Sequence, residues 1–227
     1  MTFMILLLLV AVGVYFYKRS EFSDPTEVKN RCKGRSSDQR NVIRYFCVDG
    51  CFKVIMSDQA YDALVQSYST KQNFRQKAID KIGLDESEIK EIDPIHFEGY
   101  VYDKNTFWKY GKDNKPRSSK YQISWLFFSS TQVYLFQYTF NLDEDGKKES
   151  TEEFFWKDIT NFSASSDTEE ASYWDNKENK FLLKNVSTNR FALTVPGEKF
   201  YCYMEQNNDT ERAIQAMKSK LREKKNI

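Results

Sequence analysis

The chain of 227 residues opens with an uninterrupted apolar run. Residues 1–17 (MTFMILLLLVAVGVYFY) carry no charged side chain, and Lys18 and Arg19 follow directly. A spanning helix needs ~20 apolar residues, and ~17 is the lower limit, so the run predicts a short membrane span. A cleaved signal peptide is the competing interpretation, but the basic residues that should precede its apolar part are absent. We therefore expect residues 1–19 to form an uncleaved transmembrane anchor.

The charge next to this run predicts its orientation. Only the α-amino group precedes the run, whereas the basic residues that follow it are Lys18, Arg19, Lys29, Arg31, Lys33, Arg35 and Arg40. The positive-inside rule then places the C-terminal bulk of a single-pass protein in the cytoplasm, at the cell membrane. Residues 20–40 are polar and show no period, so we expect a juxtamembrane linker there.

Residues 41–93 predict a small hairpin-plus-helix unit. Strand formers flank Asp49 and Gly50, which indicates two short strands joined by a tight turn. Ser57 is then expected to cap a helix, because apolar positions recur every three or four residues beyond it. Gly83 is expected to end that helix.

Residues 94–227 change to alternating apolar and polar positions rich in aromatic side chains. Seven runs predict antiparallel strands: HFEGYVY, YQISWLFFS, QVYLFQYTFN, TEEFFWKDITNFS, ASYWDN to KFLLKN, RFALTV and KFYCYME. Short, closely spaced strands indicate a sandwich or a small barrel. A helix is expected from about Asn208 to Lys224, and its narrow apolar stripe suits a helix that covers one barrel opening.

Seven strands followed by one amphipathic helix is the element order of the pleckstrin-homology (PH)-like superfold. Residues 96–224 resemble bacterial membrane-anchored PH-like and GRAM-like domains, locally at 154–160 (FFWKDIT) and at 211–217 (ERAIQAM). The resemblance implies an α+β chain: an N-terminal transmembrane helix, a small α/β unit, and a seven-stranded antiparallel PH-like β-barrel closed by a C-terminal helix. It also implies a binding or scaffolding module.

PH domains that bind phosphoinositides carry basic residues in the loop after the first strand. The corresponding residues here are Lys109, Lys112, Lys115, Arg117 and Lys120, and Lys115-Pro116-Arg117 fits the end of the family pattern. Ammonium and guanidinium groups donate strong hydrogen bonds to phosphate, so the resemblance predicts an anionic-lipid site. A solvated basic loop is the alternative interpretation.

An acidic loop matches the spacing of an EF-hand calcium site. Asn141, Asp143, Asp145 and Glu152 stand at ligand positions 1, 3, 5 and 12, with Gly146 at position 6. The flanking segments predict strands, whereas an EF-hand has helices there. An acidic hairpin turn without metal is therefore the alternative interpretation.

Composition and absent motifs limit the function classes. A net charge of +1 argues against a nucleic-acid partner. His96 is the only histidine, which excludes sites built from several histidines. The chain contains none of the glycine-rich phosphate-binding motifs and no G-x-S-x-G elbow. We therefore expect no catalytic residues and no cofactor.

The four cysteines are Cys32, Cys47, Cys51 and Cys202, and they lack the two close pairs typical of a structural zinc site. Reduced thiols suit a cytoplasmic domain. The sequence thus predicts a membrane-tethered, cytoplasm-facing, non-enzymatic interaction module that binds a protein partner or inner-leaflet lipid. The alternative is an exported, membrane-anchored envelope or surface protein with a disulfide-containing domain.

Overall fold

The computed structural model describes residues 12–14, 24–48, 55–85, 87–89 and 92–225. In the described residues from 24 onward, four helices precede the strands: α1 (Thr26–Cys32), α2 (Ser37–Cys47), α3 (Asp58–Thr70) and α4 (Phe74–Ile82). The strands follow: β1 (Ile95–Val101), β2 (Phe107–Tyr110), β3 (Pro116–Ser118), β4 (Lys120–Phe128), β5 (Gln132–Asn141), β6 (Lys147–Phe155), β7 (Asn161–Asp175), β8 (Lys180–Val195) and β9 (Glu198–Tyr203). Helix α5 (Asn208–Lys224) closes the fold.

The strands form two sheets. Sheet A has the order β1-β4-β5-β6 and is antiparallel throughout. Sheet B has the order β3-β2-β7-β8-β9, and within it β2 runs parallel to β7. The predicted fold class was therefore wrong: the architecture is mixed α/β with sheets of four and five strands, and it has no closed seven-stranded barrel among the described residues.

Strand boundaries explain this error. The run at 151–163, predicted as one strand, contains the end of β6 and the start of β7, which belong to different sheets. The runs KFLLKN and RFALTV are parts of one strand, β8. Strands β2 and β3 have only four and three residues, too short for a periodic pattern to be recognised.

Both faces of sheet A are covered. Phe136 and Tyr138 of β5 face the four N-terminal helices, whereas Val133 and Leu135 face sheet B and α5. Successive strand residues point to opposite faces, so an almost continuous apolar strand is what a central layer requires. The apolar stripe of α5, centred on the fully buried Met217, packs into the second of these cores.

Helix α2 replaces the first strand of the predicted hairpin. The Ser36 hydroxyl accepts a hydrogen bond from Gln39 N–H, and the Gln39 side chain accepts one from Ser36 N–H. This capping box starts a helix whose buried apolar residues also fit helical spacing. The hairpin prediction was therefore wrong for residues 41–47, and the turn predicted at 49–50 lies outside the described residues.

Several helix boundaries were predicted correctly. Ser57 caps α3 by accepting a hydrogen bond from Ala60 N–H. Gly83 ends α4 in the left-handed region at φ 78°, which favours glycine because it lacks a Cβ. Helix α5 ends at Lys224, as expected. The stretch predicted as a linker, in contrast, contains α1 and the start of α2.

The predicted membrane anchor has no counterpart in the described fold. No helix among the described residues is both long enough and apolar enough to cross a membrane. Of the predicted anchor at residues 1–19, only 12–14 are described, and they are helical. Most of the predicted anchor therefore lies outside the described residues.

Candidate functional site

An aromatic cleft of about 470 Å³ lies where the helical layer meets sheet A. We define the aromatic cleft by its floor of Tyr68, Phe74, Tyr138 and Phe140. Tyr68 stacks on Phe140 with ring centroids 5.8 Å apart, and Phe74 lies 4.8 Å from Tyr138. Three of the rings are buried, whereas Tyr68 is 38% exposed. The volume falls within the range of ligand-binding pockets, and Tyr68 is the most accessible of the four rings.

Two elements bring these rings together. Helix α3 ends at Thr70 and α4 begins at Phe74, so Tyr68 and Phe74 flank the α3–α4 turn. Asn73 caps α4 by accepting a hydrogen bond from Gln76 N–H, which sets the direction of α4 after the turn. Alternation along β5 places Tyr138 and Phe140 on the same face of sheet A, below this turn.

Charged groups of both signs form the rim of the aromatic cleft. Glu144 pairs with Arg35 at 2.9 Å, and Asp145 accepts a hydrogen bond from the Gln39 side chain at 2.7 Å. The rim cations Lys71 and Lys147 have no ion-pair partner among the described residues; Lys71 Nζ lies 5.9 Å from the Tyr68 ring. Asp145 also lacks an ion-pair partner among the described residues, because Gln39 is uncharged, so two lysines face one such carboxylate and the net rim charge is positive, which complements an acidic ligand.

Two larger surface cavities are weaker candidates for a ligand-binding site. The one beside Thr26 measures about 800 Å³ and the one beside Gln215 about 730 Å³. Neither is lined by an aromatic side chain. Because large aromatic surfaces supply most of the binding energy in ligand sites, the aromatic cleft is the stronger candidate.

The predicted calcium ligands are not assembled into one site. Asn141 is the last residue of β5 and Asp143 and Asp145 lie in the β5–β6 turn, but Glu152 lies on β6 opposite Leu135. That is six residues along the ladder from Asn141, or about 20 Å at the rise of an extended strand. Among the described residues, no group of three or more His, Cys, Asp or Glu side chains is arranged for a metal ion.

The turn residues have protein partners instead. Asn141 donates a side-chain hydrogen bond to Glu144 at 2.9 Å. Asp143 is buried and hydrogen-bonded to the Ser119 side chain, and burial raises the pKa of its carboxyl group. These contacts are typical of a structural acidic turn, which was the alternative interpretation.

The predicted phosphate-binding residues are Lys109, Lys112, Lys115, Arg117 and Lys120, which lie on β2, the β2–β3 turn, β3 and the start of β4. The Lys109 ammonium group donates a hydrogen bond to the Tyr45 carbonyl, and its Nζ lies 3.6 Å from the centroid of the Tyr45 ring. Lys120 pairs with Asp103 at 2.6 Å. Lys112 and Lys115 are exposed. The structure thus leaves two of the five side chains at the surface, and the lipid site at these residues stays a prediction.

Arg117 is the most constrained of the five. Its guanidinium makes two hydrogen bonds of 2.7 Å to Asp62 of α3 and two of 2.8 and 2.9 Å to Asp113. The side chain is only 4% exposed. The hydrogen bonds from Arg117 hold the pKa of Asp113 well below its usual range. Arg117 therefore joins the helical layer to the β2–β3 hairpin and is not accessible to a phosphate.

Asp58 strengthens the same junction. It accepts hydrogen bonds from the Tyr45 hydroxyl at 2.8 Å and from Lys112 N–H at 2.7 Å. Burial raises the pKa of Asp58, but the hydrogen bonds from Lys112 and Tyr45 outweigh it, and the net pKa is lowered. Asp58 and Asp62 could not be recognised from the sequence, because acidic residues on a helix carry no signal of a partner about 55 residues away.

His96 lies on β1 with its ring stacked on Trp125, at a centroid distance of 4.7 Å. Its Nε2 is 3.8 Å from Glu98 Oε2, too far for a hydrogen bond or a direct proton transfer. Burial lowers the pKa of His96, and burial together with the charge of Glu205 raises the pKa of Glu98. These are the contacts of a structural strand histidine.

The cysteines in the described residues are free thiols. Cys32 is partly exposed, whereas Cys47 and Cys202 are buried. Burial raises the pKa of Cys202 to about 12, so this thiol is protonated and unreactive at neutral pH. Cys51 lies outside the described residues.

No protein-family model, curated protein or solved structure matches the chain. The resemblance to PH-like and GRAM-like domains stays a prediction from the sequence.

Proposed function

We propose that this chain is a non-enzymatic interaction module that binds a protein partner in the aromatic cleft. The observation that carries the proposal is the cleft itself: about 470 Å³, an aromatic floor, and a rim with unpaired positive charge. A segment of a partner chain would insert a large apolar side chain against Tyr68 and Phe140. This is how aromatic anchors act at the centre of protein interfaces.

The rim favours an acidic segment. Glu144 is paired with Arg35, so Asp145, which accepts a hydrogen bond from the uncharged Gln39, is the rim carboxylate that stays without an ion pair among the described residues. Lys71 and Lys147 lack ion-pair partners among the described residues. An apolar residue flanked by Asp or Glu would therefore match both the floor and the rim.

Three groups of contacts support a binding role over catalysis. His96 is stacked and lies beyond hydrogen-bonding distance of Glu98. Asp143 is buried against Ser119. Arg117 is saturated by two carboxylates, which also favours a protein partner over a phosphorylated lipid. These three groups are therefore engaged in structural contacts.

A peptide selection tests the proposal. Short random peptides displayed on phage would be selected against the full-length chain, and the enriched pool sequenced. We expect enrichment of peptides that combine a Phe, Trp, Tyr or Leu with neighbouring Asp or Glu. Binding of this pool should weaken at least about tenfold in Tyr68→Ser, which removes a ring from the floor, and in Lys71→Glu, which places a carboxylate opposite an acidic ligand.

The matched control is Tyr110→Ser. Tyr110 is an aromatic side chain, 53% exposed, on β2 outside the aromatic cleft. Its loss should leave pool binding unchanged. Failure to enrich any peptide, or equal binding by wild type and both cleft variants, would reject the cleft as a binding site.

A further inference from the structure

Strand β6 is an open edge of sheet A. It pairs with β5 over nine residues, and no described strand pairs with its other side. A strand of this length exposes a row of unpaired backbone N–H and C=O groups, which is a template for another strand. The chemistry of this edge therefore determines what can pair there.

The other sheet edges are less available. Strand β1, the opposite edge of sheet A, lies against the end of β9: a Cβ built on Gly99 would be 2.9 Å from Met204 N. Strand β3 has three residues and begins with Pro116, which has no N–H to donate. Strand β9 has six residues and packs across β1 and β4. Of the four strands that end the two sheets, β6 is the longest, with nine residues.

The charges along β6 are arranged in two blocks. Lys147 and Lys148 stand at its start, and Glu152 and Glu153 stand near its end. Their neighbours on β5 are uncharged, and none of the four has an ion-pair partner among the described residues. Glu149, between the blocks, is already paired with Lys77 and Lys81 of α4. The edge thus carries unpaired charge of both signs, separated along one strand.

Backbone geometry restricts the registers available to a pairing strand. Asn141 N–H donates to the Gly146 carbonyl at 3.0 Å, and the β5–β6 ladder has no break. Hydrogen bonding alternates along antiparallel strands, so the odd-numbered residues from Lys147 to Phe155 direct their backbone groups outward. A second β6 must therefore place odd residues opposite odd residues.

We propose that β6 pairs antiparallel with β6 of a second copy of this chain, around a two-fold axis at Ser150. In that register Lys147 lies opposite Glu153 of the second copy, and Lys148 lies opposite Glu152. The two-fold axis repeats each contact, so both charge blocks are neutralised. Opposite charges directly across an antiparallel pair stabilise it, and such an isologous contact is the commonest route to a homodimer.

The neighbouring registers are disfavoured by the same charges. A shift of the centre to Glu149 sets Glu149 opposite itself. A shift to Thr151 sets Glu149 opposite Glu153. Like charges directly opposite destabilise a strand pair, so only the register centred on Ser150 combines allowed hydrogen bonding with complementary charge. The dimer joins two copies of sheet A into one continuous sheet of eight described strands.

Charge reversal at Lys148 and Glu152 tests the pairing without touching the aromatic cleft, to which neither residue belongs. Light scattering of the full-length chain in a nonionic detergent, corrected for bound detergent, should give about twice the 26.9 kDa of one chain. Lys148→Glu alone and Glu152→Lys alone should each dimerise at least about tenfold more weakly. An equimolar mixture of the two variants should dimerise like wild type, because the new carboxylate of one variant then lies opposite the new ammonium group of the other.

The double variant Lys148→Glu/Glu152→Lys should also dimerise like wild type, since it exchanges the two charges. Lys177→Glu, at an exposed position in the β7–β8 turn, is the matched control and should have no effect. The mixing result separates lost pairing from lost folding. A monomeric wild type, or single reversals that dimerise as strongly as wild type, would overturn the proposal.

A cysteine at the axis tests the register. Ser150 would face Ser150 of the second copy in a non-hydrogen-bonded pair, with Cα atoms ~4.5 Å apart, within the range for a disulfide. Ser150→Cys should therefore form a cross-linked dimer under mild oxidation. Thr151→Cys, which lies opposite Glu149, should not. Wild type measures the background from the native cysteines. Equal cross-linking of both variants would reject the register.

Discussion

Arg117 is a residue whose role depends on its partners. Its guanidinium presents a planar fork of donors, and Asp62 and Asp113 occupy both sides of that fork at 2.7 to 2.9 Å. A lysine has a compact ammonium group and cannot make the same two-sided contact. Both carboxylates are more than 40% exposed, so solvent reduces the strength of each ion pair. The stabilisation that remains comes from the planar geometry of the guanidinium group, which donates two hydrogen bonds to each carboxylate.

Replacing Arg117 by Lys should lower the free energy of unfolding by about 2 kcal/mol, because at least two charge-assisted hydrogen bonds are lost. Urea denaturation measures this. Lys115→Ala, two residues away and exposed, should change stability by no more than about 0.5 kcal/mol. Equal stability of wild type and Arg117→Lys would mean that the junction to α3 does not depend on the bidentate contact.

At the scale of elements, the approach of β1 to β9 depends on a glycine. A Cβ on Gly99 would lie 2.9 Å from Met204 N and 3.1 Å from the Tyr203 carbonyl carbon, both of which are backbone atoms. Backbone cannot move aside as the end of a side chain can. The two sheets come this close at β1 because position 99 has no side chain.

Gly99→Ala should therefore lower the free energy of unfolding by about 2 kcal/mol, the usual cost of overpacking a tight contact. Gly146→Ala is the matched comparison, since its Cβ would meet only the Asn141 side chain, which can rotate. We expect a loss there of about 0.5 kcal/mol. Thermal or urea denaturation distinguishes the two; a larger loss at Gly146 would contradict the packing argument.

The sequence predicted the type of element correctly where several local signals agreed. Helix α3 has a Ser57 cap and a regular apolar stripe, and α5 has both a cap and a stripe. Residues 41–47 carried conflicting signals, because their aromatic and β-branched residues favour a strand while their spacing also fits a helix. The capping box of Ser36 and Gln39 was the overlooked signal that decided for α2.

At the scale of the whole molecule, the helical layer and sheet A share one core. Tyr61 of α3 is fully buried, stacks on Tyr45 of α2 at 4.4 Å, and donates a hydrogen bond to the Ser118 carbonyl at 2.6 Å. The same core includes Phe136 and Tyr138 of β5. The helical layer buries its apolar face in this shared core, so it is not expected to be stable alone.

We therefore expect a single unfolding transition. Far-UV circular dichroism at 222 nm reports largely on the helices, whereas the four tryptophans all lie in the strand-rich region from β2 to β7. The two signals should give the same urea midpoint, as in a two-state transition. A helical signal lost at clearly lower urea would indicate that the N-terminal helices fold separately from the sheets.

The candidate site was only partly predictable. Tyr68 and Phe74 belong to the apolar positions that recur every three or four residues after Ser57, a pattern that a core position and a cleft position produce equally. What makes them a site is the end of β5 beneath the α3–α4 turn, a contact between residues about 70 positions apart. Conversely, the sequence predicted that Arg117 binds phosphate. In the tertiary structure its guanidinium group is instead hydrogen-bonded to the carboxylates of Asp62 and Asp113.

By itself the sequence determined the local features: the cap of α3, the end of α4, the extent of α5, and the alternation that makes β5 a strand. These features depend on residues close together in the chain, whose helix and strand preferences can be read from the sequence. Tertiary structure alone decided the division into two sheets, the burial of Arg117, the aromatic cleft and the open edge at β6. Each of these depends on contacts between segments that are distant in the chain. Such contacts form only when the helical layer, sheet A and sheet B with α5 pack together.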